Sequence, residues 1–124
     1  MAGELILIIE DNEKNRRLVH DVLQFKGYQT IETETGEEGV ELARSRQPAL
    51  VLMDIQLPGI DGITALRQLR DDPITRAIRV MAVTASAMTQ DRQKILSAGF
   101  DGYQSKPINV KAFLEAVQEL LARP

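Results

Sequence analysis

Short runs of β-favouring apolar residues alternate along this chain with longer stretches whose apolar residues return every three or four positions. Leu5–Ile9 is wholly apolar and reads as a first buried strand. After it, Leu18, Val19, Val22, Leu23 and Phe25 fall on one helical face, and Gly27 fits the stop of that helix. Residues 28–34 alternate as a second strand, and residues 36–47 form a second helix with Gly39, Val40 and Ala43 on one face, ended by Pro48. Ala49–Met53 is an unbroken apolar run, the pattern of a strand covered on both sides, and it leads straight into Asp54. Asp61 suits the N-cap of a helix on which Ile63, Leu66 and Leu69 share a face, and Pro73 closes it. A fourth strand is predicted over 79–85, a polar helix at about 87–98 stopped by Gly99, and a short fifth strand over 102–106. The last helix carries Val110, Phe113, Leu114, Val117, Leu120 and Leu121, the cleanest amphipathic pattern in the chain. Met53, Met81 and Met88 read as core filling.

Five strands alternating with five helices, with the strands nearly all apolar, imply an α/β fold: a parallel sheet covered by helices on both faces. The expected architecture is a doubly wound five-stranded parallel sheet of order 2-1-3-4-5, flavodoxin-like, with residues 1–124 forming one domain. In that order the chain leaves the first strand in opposite directions on its two sides. The resulting crevice beyond the strand ends is where such sheets bind ligands.

Composition narrows the chemistry. Fifteen Lys and Arg against 18 Asp and Glu give a net charge of −3, without the concentrated basic surface that nucleic-acid binding needs. The absence of cysteine excludes disulfides, thiolate metal sites and Cys nucleophiles. No apolar run approaches the roughly 18 residues of a membrane span. The N-terminal residues lack the basic region and apolar length of a signal peptide, so a cytoplasmic location is expected.

The carboxyl ends of the central strands bring together Glu10 and Asp11, Asp54, Thr84 and Lys106. Three acids in a small, partly dry space repel one another, and a hard divalent cation resolves the conflict. Mg²⁺ suits an all-oxygen set best; with no thiol and a single His on a distant helix, zinc does not fit. The remaining groups suit phosphoryl chemistry, because an Asp carboxylate can attack phosphorus to give an acyl phosphate. The Lys106 ammonium and the Thr84 hydroxyl, with nearby backbone amides, would then neutralise phosphoryl oxygens. Glu10 and Asp11 also suit a helix N-terminus, and Asp11 is expected to cap the first helix as well.

The fragments "EDN" (10–12), "MDIQLPGIDG" (53–62), "VTA" (83–85) and "SKP" (105–107), in this order at successive strand ends, resemble the receiver domain of two-component response regulators. The likeness spans essentially the whole chain. Through "EDNEKN", "HDVL", "MDIQLP" and "SKPI" it is greatest to the single-domain regulators of the DivK type. The resemblance implies that Asp54 is the phosphoacceptor, served by a histidine kinase or a histidine phosphotransfer protein. It implies that Asp11 and Asp54 bind Mg²⁺, with Glu10 acting through water and the Gln56 backbone carbonyl completing the protein ligands. It further implies that Thr84 and Tyr103 are the switch residues and that the Lys106–Pro107 peptide is cis, as X-Pro bonds alone readily are. The downstream protein target would bind the face formed by the fourth helix, fifth strand and fifth helix. A phosphorylation-dependent homodimer is compatible with it. Residues two beyond the phosphoacceptor and two beyond the Thr, here Gln56 and Ser86, tune dephosphorylation in receivers.

Competing readings make different demands. A haloacid-dehalogenase-type phosphatase carries a second acid two residues after its nucleophile, and Gln56 stands there instead. A flavodoxin-like binding module needs a Ser-, Thr- and Gly-rich first loop to grip phosphate, whereas "EDNEKN" repels an anion unless a metal intervenes. A degenerate receiver would lack part of the Asp, Thr and Lys set. A signalling domain rather than an enzyme is therefore expected, with a receiver excised from a hybrid kinase or a longer regulator as the alternative.

Overall fold

The computed structural model describes residues 3–85 and 89–123, without the side chains of residues 89–92. Five strands, β1 (Leu5–Ile9), β2 (Gln29–Thr33), β3 (Leu50–Asp54), β4 (Arg79–Thr84) and β5 (Gly102–Ser105), alternate with five helices. These are α1 (Glu13–Phe25), α2 (Gly36–Arg46), α3 (Gly62–Asp71), α4 (Thr89–Ser97) and α5 (Val110–Ala122). The sheet is parallel throughout and has the expected order β2-β1-β3-β4-β5.

Strand alternation divides the core into two layers. Leu7 and Ile9, Val51 and Met53, and Val80 and Ala82 pack with Ala43, Leu66, Leu69 and Ile95 of α2, α3 and α4. Ile6 and Ile8, Leu50 and Leu52, and Met81 and Val83 pack with Val19, Leu23, Phe113, Val117 and Leu120 of α1 and α5. Each central strand is therefore apolar on both faces because both faces are covered.

The helix starts are set by polar caps. Asp61 caps α3 as expected, its carboxylate accepting from the Thr64 N–H at 2.8 Å. Thr35 and Asn109 cap α2 and α5 in the same way. The cap of α1 is Asn12, whose side chain accepts from the Asn15 N–H at 3.0 Å, and not Asp11. The amide does the capping, which leaves the Asp11 carboxylate exposed at the mouth of the crevice.

Two further expectations change. The apolar face assigned to α1 is wider than its buried face: Val19 and Leu23 are buried, but Leu18 is exposed and Phe25 is 86% exposed. Val110, at the first turn of α5, is exposed too. Met53 and Met81 are fully buried, whereas Met88, Ser86 and the start of the fourth predicted helix lie outside the described residues.

Candidate functional site

Strand register sets the depth of each functional side chain. Ile9 pairs with Met53, Asp54 with Val83 and Thr84 with Ser105. Glu10, Asp54, Thr84 and Lys106 thus leave the sheet at nearly one level, and the Lys106 N–H donates to the Thr84 carbonyl at 2.8 Å. The level is the carboxyl edge of the sheet, where β2 and β3 flank β1 on opposite sides.

Charge at this edge is buried. Asp54 is 6% exposed, Glu10 4% and Thr84 1%. The Lys106 ammonium bridges the two acids, 2.6 Å from Glu10 Oε1 and 2.8 Å from Asp54 Oδ2. The remaining carboxylate oxygens accept from backbone amides: Glu10 Oε2 from Asn12 at 3.1 Å and Asp54 Oδ1 from Gln56 at 3.1 Å. Burial raises the Glu10 pKa to about 7, with the Asp54 carboxyl adding to the rise and Lys106 and the Asn12 amide opposing it. Burial alone would lower the Lys106 pKa, but its hydrogen bonds to Asp54 and Glu10 win and the net change is upward.

Glu10, Asp11 and Asp54 each present an oxygen, and these atoms lie within 4.8 Å of one another. That is the all-oxygen donor set of a hard divalent cation. One lysine charge facing three carboxyls leaves the cluster with surplus negative charge, so the residues present fit a bound cation.

The loop from β3 to α3 closes the floor. The Gly62 N–H donates to the Ile55 carbonyl at 2.8 Å, and a Cβ at Gly62 would stand 2.5 Å from the Asp54 carbonyl oxygen and 2.8 Å from Ile55 Cα. Only glycine lets α3 start this close to the strand end that carries Asp54. The Lys106–Pro107 peptide is cis. Tyr103, on β5, is half-buried and packs against the core layer that holds Ile95 and Phe100.

Residues 6–118 match the response regulator receiver domain family. The chain belongs to that family. DivK of Brucella ovis, a polar-differentiation response regulator, is 45% identical over 116 residues, covering 94% of each chain, and DivK of Brucella abortus matches to the same degree. Among solved structures, the receiver domain of the sensor histidine kinase PA1611 from Pseudomonas aeruginosa PAO1 superposes with a TM-score of 0.91 at 31% identity, over 98% of this chain and 100% of that one. That receiver holds a magnesium ion in its active-site cleft. A response regulator from Chloroflexus aurantiacus has a TM-score of 0.93 at 27% identity, over 98% and 99% of the two chains. This chain is therefore a receiver domain of two-component signalling, similar to the DivK regulators.

The sequence singled out Glu10, Asp11, Asp54, Thr84 and Lys106, and the fold brings them to one edge. It did not single out Asn12 as a donor to Glu10, although Asn at the end of an acidic loop is a common N-cap and could have been read. Gly62 carried a legible turn signal but no sign of its approach to Asp54. Arg16 carries no signal of its own: it is one of several polar residues on α1, and nothing in its spacing marks it.

Proposed function

We propose that Asp54 accepts a phosphoryl group from a phosphohistidine on a histidine kinase or a histidine phosphotransfer protein. The single observation that carries this reading is the largely buried Lys106 side chain, its ammonium on Asp54 Oδ2, with a second oxygen-rich wall supplied by Glu10 and Asp11. An Asp54 oxygen forms the new bond to phosphorus as the phosphorus–nitrogen bond breaks, and the electron pair of that bond stays on the imidazole. Lys106 then transfers its contact from the carboxylate to a phosphoryl oxygen, and the Gln56 amide and Thr84 hydroxyl serve the others. Asp11 and Asp54 would hold Mg²⁺ directly, Glu10 through water, with the Gln56 carbonyl as a further ligand. The ion supplies charge neutralisation at the phosphoryl oxygens when bound.

Phosphorylation would bias two conformations of the domain through new contacts at Thr84 and Tyr103. The output face is that of α4, β5 and α5, on which Leu96 is exposed and Tyr103 is half-buried. The donor would dock on a different face. A groove of about 280 Å³ lined by Asp21, Val22, Phe25, Lys26, Val110 and Leu114 runs between α1 and α5. The domain acts as a phosphoacceptor switch rather than an enzyme on other substrates, in the cytoplasm. No helix of the described residues is long and apolar enough to cross a membrane.

The test is incubation with acetyl phosphate and Mg²⁺ followed by intact mass measurement. The expected result is the gain of one phosphoryl group, lost in Asp54→Asn. No gain, or a gain that survives the substitution, overturns the reading.

A further inference from the structure

Glu10 is held at every polar atom, and two of the holders, Thr33 and Arg16, come from outside the site. Its N–H donates to the Thr33 carbonyl at 3.0 Å, and its carboxylate oxygens take Lys106 and the Asn12 amide. Its carbonyl oxygen accepts from Arg16 Nη1 at 3.0 Å. Arg16 sits one turn into α1 and folds back across that turn, with its side chain 17% exposed. The same guanidinium reaches the edge strand and its exit, with Nε 3.8 Å from Glu32 and Nη1 3.3 Å from Glu34. Glu32 is fixed in turn by His20, whose Nδ1 lies 3.1 Å from Glu32 Oε2 and 3.0 Å from the Thr30 hydroxyl.

The contact with the Glu10 carbonyl matters because a peptide unit is planar. The Glu10 carbonyl and the Asp11 nitrogen belong to one rigid plane, so the group that holds the first orients the second. We infer that Arg16 is a positioning residue for cation binding: it locks the Glu10–Asp11 peptide and thereby aims the Asp11 carboxylate at Asp54. The inference rests on the proposed reading that this acid cluster binds Mg²⁺. Three oxygens within 4.8 Å require such aiming, because Asp11 is the exposed member of the trio and burial does not fix it. The fork geometry suits this role, since one guanidinium spans a carbonyl and two carboxylates, whereas an ammonium gathers its three donors at a single point.

Charge and positioning predict opposite signs. Arg16 is a cation near a cation site, so its charge alone opposes Mg²⁺, and removing it would tighten binding. As a positioning residue its removal weakens binding, on the order of tenfold by analogy with other groups that orient metal ligands. The experiment is calorimetric Mg²⁺ titration of the wild type, Arg16→Met and Arg16→Lys, with the Asp11 amide followed by NMR in metal-free protein. The expected result is about tenfold weaker binding in Arg16→Met, partial rescue in Arg16→Lys, and a displaced Asp11 amide resonance in both. Unchanged or tighter binding in folded Arg16→Met overturns the inference. Should Arg16→Met fail to fold, Arg16→Lys decides alone: wild-type affinity with an unmoved Asp11 resonance overturns it. A wild type that binds no Mg²⁺ overturns the underlying reading instead, which separates the two failures.

Discussion

Lys106 and Glu10 form a buried ion pair, 2.6 Å from ammonium to carboxylate, in which the same ammonium also serves Asp54. In the metal-free protein this lysine is what makes two buried carboxyls tolerable at one sheet edge. Lys106→Met should therefore destabilise the metal-free domain by about 3 kcal/mol near neutral pH, the cost of leaving buried charge unpaired. Added Mg²⁺ should recover part of the loss. Urea unfolding of wild type and variant, with and without the ion, measures both.

Glu10 gives the stability a pH slope of unusual sign. Its pKa rises from the ordinary 4.5 to about 7 on folding, chiefly by burial. A carboxyl raised on folding contributes stability that is present below its unfolded pKa and lost as pH rises through its folded value. The metal-free domain should thus lose stability from Glu10 as the pH climbs from about 4.5 to about 7. Lys106 adds no slope in this window, because its raised pKa keeps it charged throughout. Urea midpoints across the window should fall in the wild type and flatten in Glu10→Gln. An equal slope in both removes Glu10 as its source.

The strand order and the site were legible for one shared reason: in a doubly wound sheet, strand sequence fixes strand depth. The run from Leu50 to Met53 had to be covered on both sides, which put Asp54 at the rim beside Glu10. Phe25 was not legible, because helical periodicity reports an apolar face without saying how much of it a neighbour covers. The α1 stripe is wider than its contact with the sheet, and Phe25 falls past the edge of it. Arg16 was invisible for a different reason. The partner that ties it to the site is the Glu10 backbone carbonyl, and carbonyls leave no trace in side-chain spacing.

Gly62 couples the start of α3 to the strand end that carries Asp54. A methyl group there would meet the Asp54 carbonyl oxygen at 2.5 Å, and backbone cannot rotate out of the way as a side chain can. Gly62→Ala should cost about 2 kcal/mol of stability through overpacking. It should also slow phosphorylation by acetyl phosphate by about tenfold, since small misplacements of reacting groups are costly. A variant that loses stability but is phosphorylated at the wild-type rate would show that the displaced backbone does not carry Asp54 with it.

Phe25 separates docking from chemistry. At 86% exposure it contributes little to the core, so Phe25→Ser should change stability by less than about 0.5 kcal/mol. It lies in the groove between α1 and α5 and makes no contact in the acid cluster, so self-phosphorylation with acetyl phosphate should proceed at the wild-type rate. If the donor docks there as proposed, transfer from a protein phosphohistidine buries that groove, and losing an aromatic anchor from an interface hot spot costs more than about 1 kcal/mol. Transfer from the cognate donor should then slow by roughly fivefold or more, the rate equivalent of that loss. Measuring both rates on one preparation makes the comparison internal. Equal slowing with both donors would mean that Phe25 acts on the site itself, and no slowing with either would move the donor's docking surface away from α1.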